Sequence, residues 1–497
     1  MPVFHVTPAT VQQRLNLAQP GDEIVLQAGD YRARLRLQGR SGTAAMPITV
    51  RADPGAHLDQ GLDAQAYRVR GNQLSQDVYE GRVPGYPVHA YPGLYPWMKD
   101  GQLVLDNCRH VRLLNLSIRQ SWPTLIALVD CRHIEIGGAT LLDGTFAIAA
   151  RGTTTSDISI HDCTWVQDVV ANRMWREIDW RRIHGTPGDK YGWPMNQVED
   201  WRLFDGDFFR GYDIAGGIRV LRCQVTAAFN AIHLFNPSRN RNLCRDVEVA
   251  HCTFTEIRDN IFEAEDMAYN WWFHHNEIVN AHKWFSIEQE DTGYFYFFAN
   301  RAWYDSIQGP KDDKHSQGGV FKIPTVEPVA GGTLYVFNNS FCTHGSYLGN
   351  GLLTHVVHQN NAVRLAATAD PGFDPSKAGS VFGDLTAAPG DIDERFTTEW
   401  SRLQIRMRND VLAHASWPGG VKNAGYAIEP AADTDPAFIN WSRGDLKLAA
   451  GSPCSGASRA FDVELVDGNV WRAPDTGDIG AWQGGSLFAG PSFVASP

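Results

Sequence analysis

The stretch that decides the fold reads Asp259-Asn-Ile-Phe-Glu-Ala-Glu-Asp266, then Asn270-Trp-Trp-Phe-His-His-Asn276. It repeats as Trp284-Phe-Ser-Ile-Glu-Gln-Glu-Asp291 and Tyr294-Phe-Tyr-Phe-Phe-Ala-Asn300. Glu263 recurs as Glu288, Glu265 as Glu290 and Asp266 as Asp291, each 25 residues on, while Asn276 and Asn300 differ by 24. A period in the twenties, carried by short segments of alternating apolar residues, means coils stacked in a solenoid.

The period extends both ways. Cys163, Cys223 and Cys252 each follow an alternating strand (Ile158-Ser-Ile160, Ile218-Arg-Val220, Val247-Glu-Val249), and Asn276, Asn300 and Asn339 occupy the same place in later coils. One internal ladder of small residues is expected, first Cys, then Asn. Cys108 and Cys131 belong to an earlier 23-residue repeat, Asp-Asn-Cys-Arg-His-Val against Val-Asp-Cys-Arg-His-Ile. Cysteines that follow a repeat are buried thiols rather than disulfide partners. With no CxxC pair, no zinc site is expected from them.

Towards the N-terminus, residues 8–20 read as a short amphipathic helix with Thr7 as cap and Pro8 in the first turn. It would cover the open end of the solenoid, whose bare edge otherwise invites strand pairing. Coils follow, interrupted by aromatic-rich insertions at about 75–100 and 166–205. A Pro/Gly/Asp-rich excursion begins at 366, and 391–414 has helical periodicity (Phe396, Trp400, Leu403, Ile405, Leu412) expected to pack outside the coils. The last coils are expected from about Ala427 to Trp482. The β-helix domain is thus 1–485, with insertions at about 75–100, 166–205 and 366–414, and 486–497 is read as a mobile tail.

The opening Gly21-Asp-Glu-Ile-Val-Leu26, Gly29-Asp-Tyr31 and Pro47-Ile-Thr-Val50, with Gly451-Ser-Pro453 and Gly477-Asp-Ile-Gly-Ala-Trp482 at the far end, resembles the pectate lyase-like superfamily. Among its members the opening looks most like the polysaccharide lyases that act on alginate and chondroitin. The resemblance implies an all-β fold, a right-handed parallel β-helix, and a carbohydrate-active enzyme. The neighbouring-coil Lys and Arg motif of those lyases is absent, so their catalytic residues are not carried over. The fold itself hosts lyases, hydrolases and epimerases.

Alternation places side chains in or out. With Phe262 and Ala264 inward, Glu263 and Glu265 face out; with Ile287 inward, Glu288 and Glu290 do. The same register gives an outward column Asp213, His233, Glu263, Glu288, Lys322, a second of Phe235, Glu265, Glu290, and Asp266 and Asp291 at the bend. Stacked strands lie about 4.8 Å apart, so Glu263 over Glu288 would share a proton and supply an acid and a base. Glu263, Glu288, Glu265, Glu290 and Asp213 are the catalytic candidates. His233, Lys322, Asp266, Asp291, Trp180, Trp193 and Trp97 are the substrate-binding candidates, the tryptophans because indole faces suit sugar rings. His282 and Lys283 are placed at a turn bordering the cleft, and His274 or His275 at a structural turn.

Paired carboxylates point first to a glycoside hydrolase. The alternatives are a polysaccharide lyase acting on a uronate-containing glycan, and a non-catalytic glycan-binding solenoid. No cofactor is expected, although the acidic triplets could hold Ca²⁺. The partner is a poly- or oligosaccharide; nothing fixes an oligomeric state. Forty-four Lys and Arg against 56 Asp and Glu give a net charge of −12, which argues against nonspecific nucleic-acid binding. No apolar run is long enough to span a membrane. The N-terminus has no basic-then-apolar leader, so the protein is cytoplasmic unless a signal peptide has been removed, in which case it is secreted or periplasmic.

Overall fold

The computed structural model describes residues 2–67, 101–170, 173–178, 180, 183, 201–264, 267–287, 293–303, 319–322, 333–343, 355–365, 404–408, 411–413, 426–429, 436–475 and 477–496. The chain divides into two compact units, Met1–Phe235 with Pro310–Asp312, and Asn236–Gly309 with Asp313–Pro497.

In the first unit every coil carries three strands. Arg109–Leu114, Ser117–Arg119 and Thr124–Val129 form one coil; Arg132–Gly137, Thr140–Leu142 and Phe146–Arg151 form the next. The pairing is parallel throughout, with Val111 beside Ile134 and Ile134 beside Ile158. Parallel strands joined by crossovers take the right-handed sense, and each unit is a stretch of right-handed parallel β-helix. Alternation decides what is inside: Val111, Leu113, Ile134, Ile136, Ile158 and Ile160 are buried.

The N-terminal helix is shorter than expected, Val11–Asn16, and Thr10 rather than Thr7 is its N-cap. It does serve the strand edge. Gln12 Nε2 donates to the Arg36 carbonyl at 2.8 Å, and Gln12 Oε1 accepts from the Arg36 amide at 2.9 Å. One side-chain amide thus satisfies both backbone groups of an edge residue.

The second unit repeats the plan in Arg245–Ala250, Tyr269–His274, Gly293–Phe298, Leu334–Phe337, His355–Gln359, Gln404–Arg408 and Tyr426–Glu429, paired parallel in that order. Its interior is aromatic. Phe262, Phe273, Phe285 and Phe297 meet with ring centroids 4.5–6.2 Å apart. The helix expected within 391–414 is overturned where it is described. Gln404–Arg408 and Val411–Ala413 are strands, the first paired with His355–Gln359 and the second with Ala362–Leu365. Residues 391–403, 409–410 and 414 lie outside the described residues.

Two further expectations fail. Past residue 436 the chain leaves the coils for antiparallel hairpins, Phe438–Asn440 with Asp445–Leu448 and Phe461–Glu464 with Val470–Ala473. Nor is 486–497 a loose tail. Trp272, Tyr296, Phe298 and Phe337 project outward from their sheet, and Phe461, Val463, Leu465 and Phe488 bury them. Asn270 Nδ2 donates to the Val494 carbonyl at 2.8 Å, and the Ser496 amide donates to Asp246 at 2.7 Å. An apolar outer face on a strand needs a cover, and here the C-terminus supplies it.

The small-residue ladder is present in each unit. In the first, the thiols of Cys108, Cys131, Cys163 and Cys223 point at the carbonyls of Leu37, Leu105, Ile136 and Ile160 on the preceding coils. In the second, Cys252 is followed by Asn276, Asn300, Asn339 and Asn361. Each Asn Nδ2 donates at 2.9 Å to a carbonyl of the preceding coil, from Val249, Phe273, Phe297 and Val336 in turn. Each Asn Oδ1 accepts the amide of the ladder residue before it, at 2.9–3.1 Å. No helix among the described residues is long and apolar enough to cross a membrane.

Candidate functional site

The acidic stretch lies in the second unit, on the strands Thr253–Ala264 and Glu277–Ile287. Each bends near its middle, where Glu256 and Asn280 take φ of 56°. Beyond the bend the register shifts. Ile257 pairs with Ala281, but Asn260 pairs with Lys283, so Arg258 and Asp259 together oppose His282. Two residues facing one is a β-bulge. Its consequence is decisive for the site: the offset falls from 24 to 23, and Glu263 lies opposite Ser286. Ser286 in turn pairs with Lys322.

The stacking of Glu263 on Glu288 is therefore corrected. A 25-residue sequence repeat is not the pairing register, which is 24 before the bulge and 23 after it. Glu288 itself, with Glu265, Asp266, Glu290, Asp291, Trp97 and Trp193, lies outside the described residues.

Glu263 also differs from the solvated acid expected of an outward residue, being only 6% exposed. Asn260, buried three residues earlier, donates to Glu263 Oε1 at 3.2 Å. Asp259 and His282 are buried beside them, Lys283 is half-buried, and Lys322 is exposed. Burial lowers the Lys283 amine to about 8; Asp259 pulls it back up, and Lys322 pushes it further down. The pair Asn260–Lys283 and the row Glu263, Ser286, Lys322 thus gather one carboxylate, two amides or hydroxyls and two amines of different strength. Asp259, Asn260 and Ser286 were not singled out from the sequence. Their signal was the bulge, legible only once Glu256 and Asn280 are known to turn.

His233 belongs to the first unit and is buried there. The column that placed Asp213 beneath it is corrected: Arg210 pairs with His233, and Asp213 is in a left-handed turn (φ 47°) beyond the strand end. Asp213's amide donates to the Phe235 carbonyl. Arg210 Nη1 donates to Asp207 Oδ2 at 3.1 Å and touches His233 Nδ1, which lies 3.7 Å from Asp207 Oδ1. Asp207 opens the strand Asp207–Tyr212 and is fully buried. The 23-residue offset between Phe209-Arg210 and Ile232-His233 was the signal for Arg210.

The insertion at 166–205 turns its described aromatics inward. Trp180 lies tilted on Phe229, Trp201 stacks on Phe204, and both join a cluster with Trp122, Met174 and Ile183. Trp180 is partly buried against this cluster. The insertion at 75–100 lies outside the described residues. A groove of about 600 Å³ on the first unit is lined by Thr49, His110, Arg112, His133, Glu135 and Ser159. Its charges are mutually satisfied, Arg112 gripping Glu135 at 2.7 and 3.0 Å, as on a solvated sheet face.

No family model and no curated protein matches the chain. Among solved structures it is similar to the pectate lyase Pel9A (12% identity, 97% of this chain and 96% of that one, TM-score 0.41). It is similar to an alginate lyase from Paenibacillus sp. str. FPU-7 (12%, 73% and 98%, TM-score 0.37). A Yersinia enterocolitica family 28 exopolygalacturonase is a third (10%, 74% and 76%, TM-score 0.41). The fold stands on this chain's own strand pairing, and these likenesses bear on no residue's role.

Proposed function

We propose that this protein is a carbohydrate-active enzyme that cleaves a uronate-containing polysaccharide by β-elimination. The observation that carries the reading is the register after the bulge. It sets Ser286, rather than a second carboxylate, opposite Glu263, with Lys322 beside Ser286 and Lys283 three residues before it on the same strand. An elimination needs a base for the proton α to the uronate carboxylate, and a cation on that carboxylate to stabilise the charge that develops. Lys283, as the free amine, takes the proton from C5. Lys322, exposed and charged, pairs with the carboxylate. The C4–O bond breaks, C4=C5 forms, and the departing oxygen takes a proton from water. Asn260 holds Glu263 ready to accept a sugar hydroxyl. Calcium bound by the acidic repeats would add to the positive charge at the uronate. A polymeric substrate suits work outside the cytoplasm, in the periplasm or beyond.

The test is a panel of uronate and neutral glycans, followed both for ultraviolet absorbance of an unsaturated uronate and for new reducing ends, with and without EGTA. Absorbance and reducing ends rising together support elimination. Reducing ends without absorbance would return the site to the hydrolase reading. Loss with EGTA would add calcium to the mechanism.

A further inference from the structure

We propose that His251, His274 and His275 of the second unit form a binding site for one divalent transition metal ion of the zinc type. His251 and His275 occupy equivalent turn positions on consecutive coils, both with φ of 57°. Their rings stack with centroids 4.9 Å apart. His274 ends the strand Tyr269–His274, and its ring lies flat on Phe298, 4.7 Å away. One nitrogen from each of the three rings falls within 4.8 Å of the others.

Proton placement makes this more than a cluster. His275 Nε2 is 2.7 Å from the Phe488 carbonyl, which can only accept, so Nε2 carries the hydrogen. The His275 hydrogen therefore points outward to the carbonyl, and its Nδ1 lone pair faces His274 Nδ1 at 2.7 Å. His274 Nε2 lies 3.4 Å from Glu248 Oε1 and makes no hydrogen bond among the described residues. Two ring nitrogens this close share a cation, a proton or a metal ion. A carbonyl holding the far N–H, as Phe488 holds that of His275, is also how metal-bound imidazoles are oriented.

Metal–nitrogen bonds of about 2.0–2.1 Å put two tetrahedral ligands roughly 3.3 Å apart. The Nδ1 pair need open only by about half an ångström, a small rotation of either ring. Imidazole donors suit zinc, nickel, copper or cobalt rather than calcium. Exposed His251 supplies the third ligand and leaves the fourth position to water. The ion would tie two coils to the C-terminal segment through Phe488, a structural role separate from the Glu263–Lys283 region.

Zn²⁺ titration of the chelator-treated full chain by calorimetry should show one equivalent bound, and Co²⁺ should give the visible absorption of a tetrahedral site. His251→Ala, an exposed substitution that the fold should tolerate, should weaken Zn²⁺ binding at least about tenfold and remove the cobalt spectrum. Saturating Zn²⁺ should raise the melting temperature of the native chain and not that of the variant. His110→Ala, outside the cluster, should bind as the native chain does. Equal Zn²⁺ affinity in native and His251→Ala proteins, or no binding by the native chain, would overturn the site and leave a proton shared between His274 and His275.

Discussion

At the scale of single residues, Lys283 sets the sharpest expectation. An ordinary lysine has a pKa near 10.4, whereas burial brings this one to about 8. A lysine acting as base works only as the free amine. Activity should therefore rise with pH through a midpoint near 8 and fall to about one per cent two units below it. The sign is fixed by the role: an amine acting as general acid would give the opposite limb. Lys283→Met keeps the length of the side chain and removes the base, so kcat should drop by about two orders of magnitude or more. Circular dichroism should be unchanged, because the methionine is spared the cost of burying an ammonium. A pH–rate profile of native and variant proteins on the substrate found by the glycan panel checks both statements. A flat profile between pH 6 and 9 would remove Lys283 from the chemistry.

At the scale of elements, the asparagine ladder holds the coils of the second unit in register. Asn300 makes four hydrogen bonds within the ladder. It accepts from the Asn276 amide and from Asn276 Nδ2, and it donates to the Phe273 carbonyl and to Asn339 Oδ1. All of these partners are buried, so Asn300→Ala leaves several groups with neither water nor a partner. An unsatisfied buried group costs about 1–3 kcal/mol. The variant should lose about 3 kcal/mol or more, seen as a lower urea midpoint. Asn300→Cys should lose less, because a thiol at the equivalent place in the first unit reaches the same carbonyl, as Cys163 does with Ile136 at 3.6 Å. Equal loss in both variants would show that the ladder acts by filling space alone. The bulge at Arg258–Asp259 is the second element-scale device. By moving the register one place it sets Glu263 opposite Ser286 rather than Ile287.

At the scale of the whole molecule, the eight cysteines are all buried and none is paired. Burial raises the Cys342 thiol to about 12 against the lowering pull of Arg364, and a thiol that does not ionise does not react. The native protein should therefore give fewer than about one equivalent of reaction with a thiol-exchange reagent, and all eight on denaturation. Rapid native labelling of several thiols would contradict the burial of the ladders.

The sequence by itself determined what depends on local pattern. Alternation over short segments and a period in the twenties were enough for a parallel β-helix. They also marked the ladder positions from Cys163 to Asn339, since a side chain's inward or outward direction follows from period two alone. Only the tertiary structure decided what depends on register. A single bulge moves the rest of its strand pair by one residue, and nothing in Ile257-Arg-Asp-Asn260 announces it. Glu263 faces Ser286 rather than Glu288. On other strands, with no bulge involved, Arg210 rather than Asp213 lies beside His233. The helical pattern ending near Leu412 was likewise overruled, because Gln404–Arg408 extends a ladder of parallel strands by pairing with His355–Gln359. Coverage was the third matter left to tertiary structure. The outward Trp272, Tyr296 and Phe298 look like exposed aromatics until distant Phe461 and Phe488 are brought over them. Contacts between residues some 200 positions apart have no local period to read, and burial, which lowers the Lys283 amine, is made of such contacts.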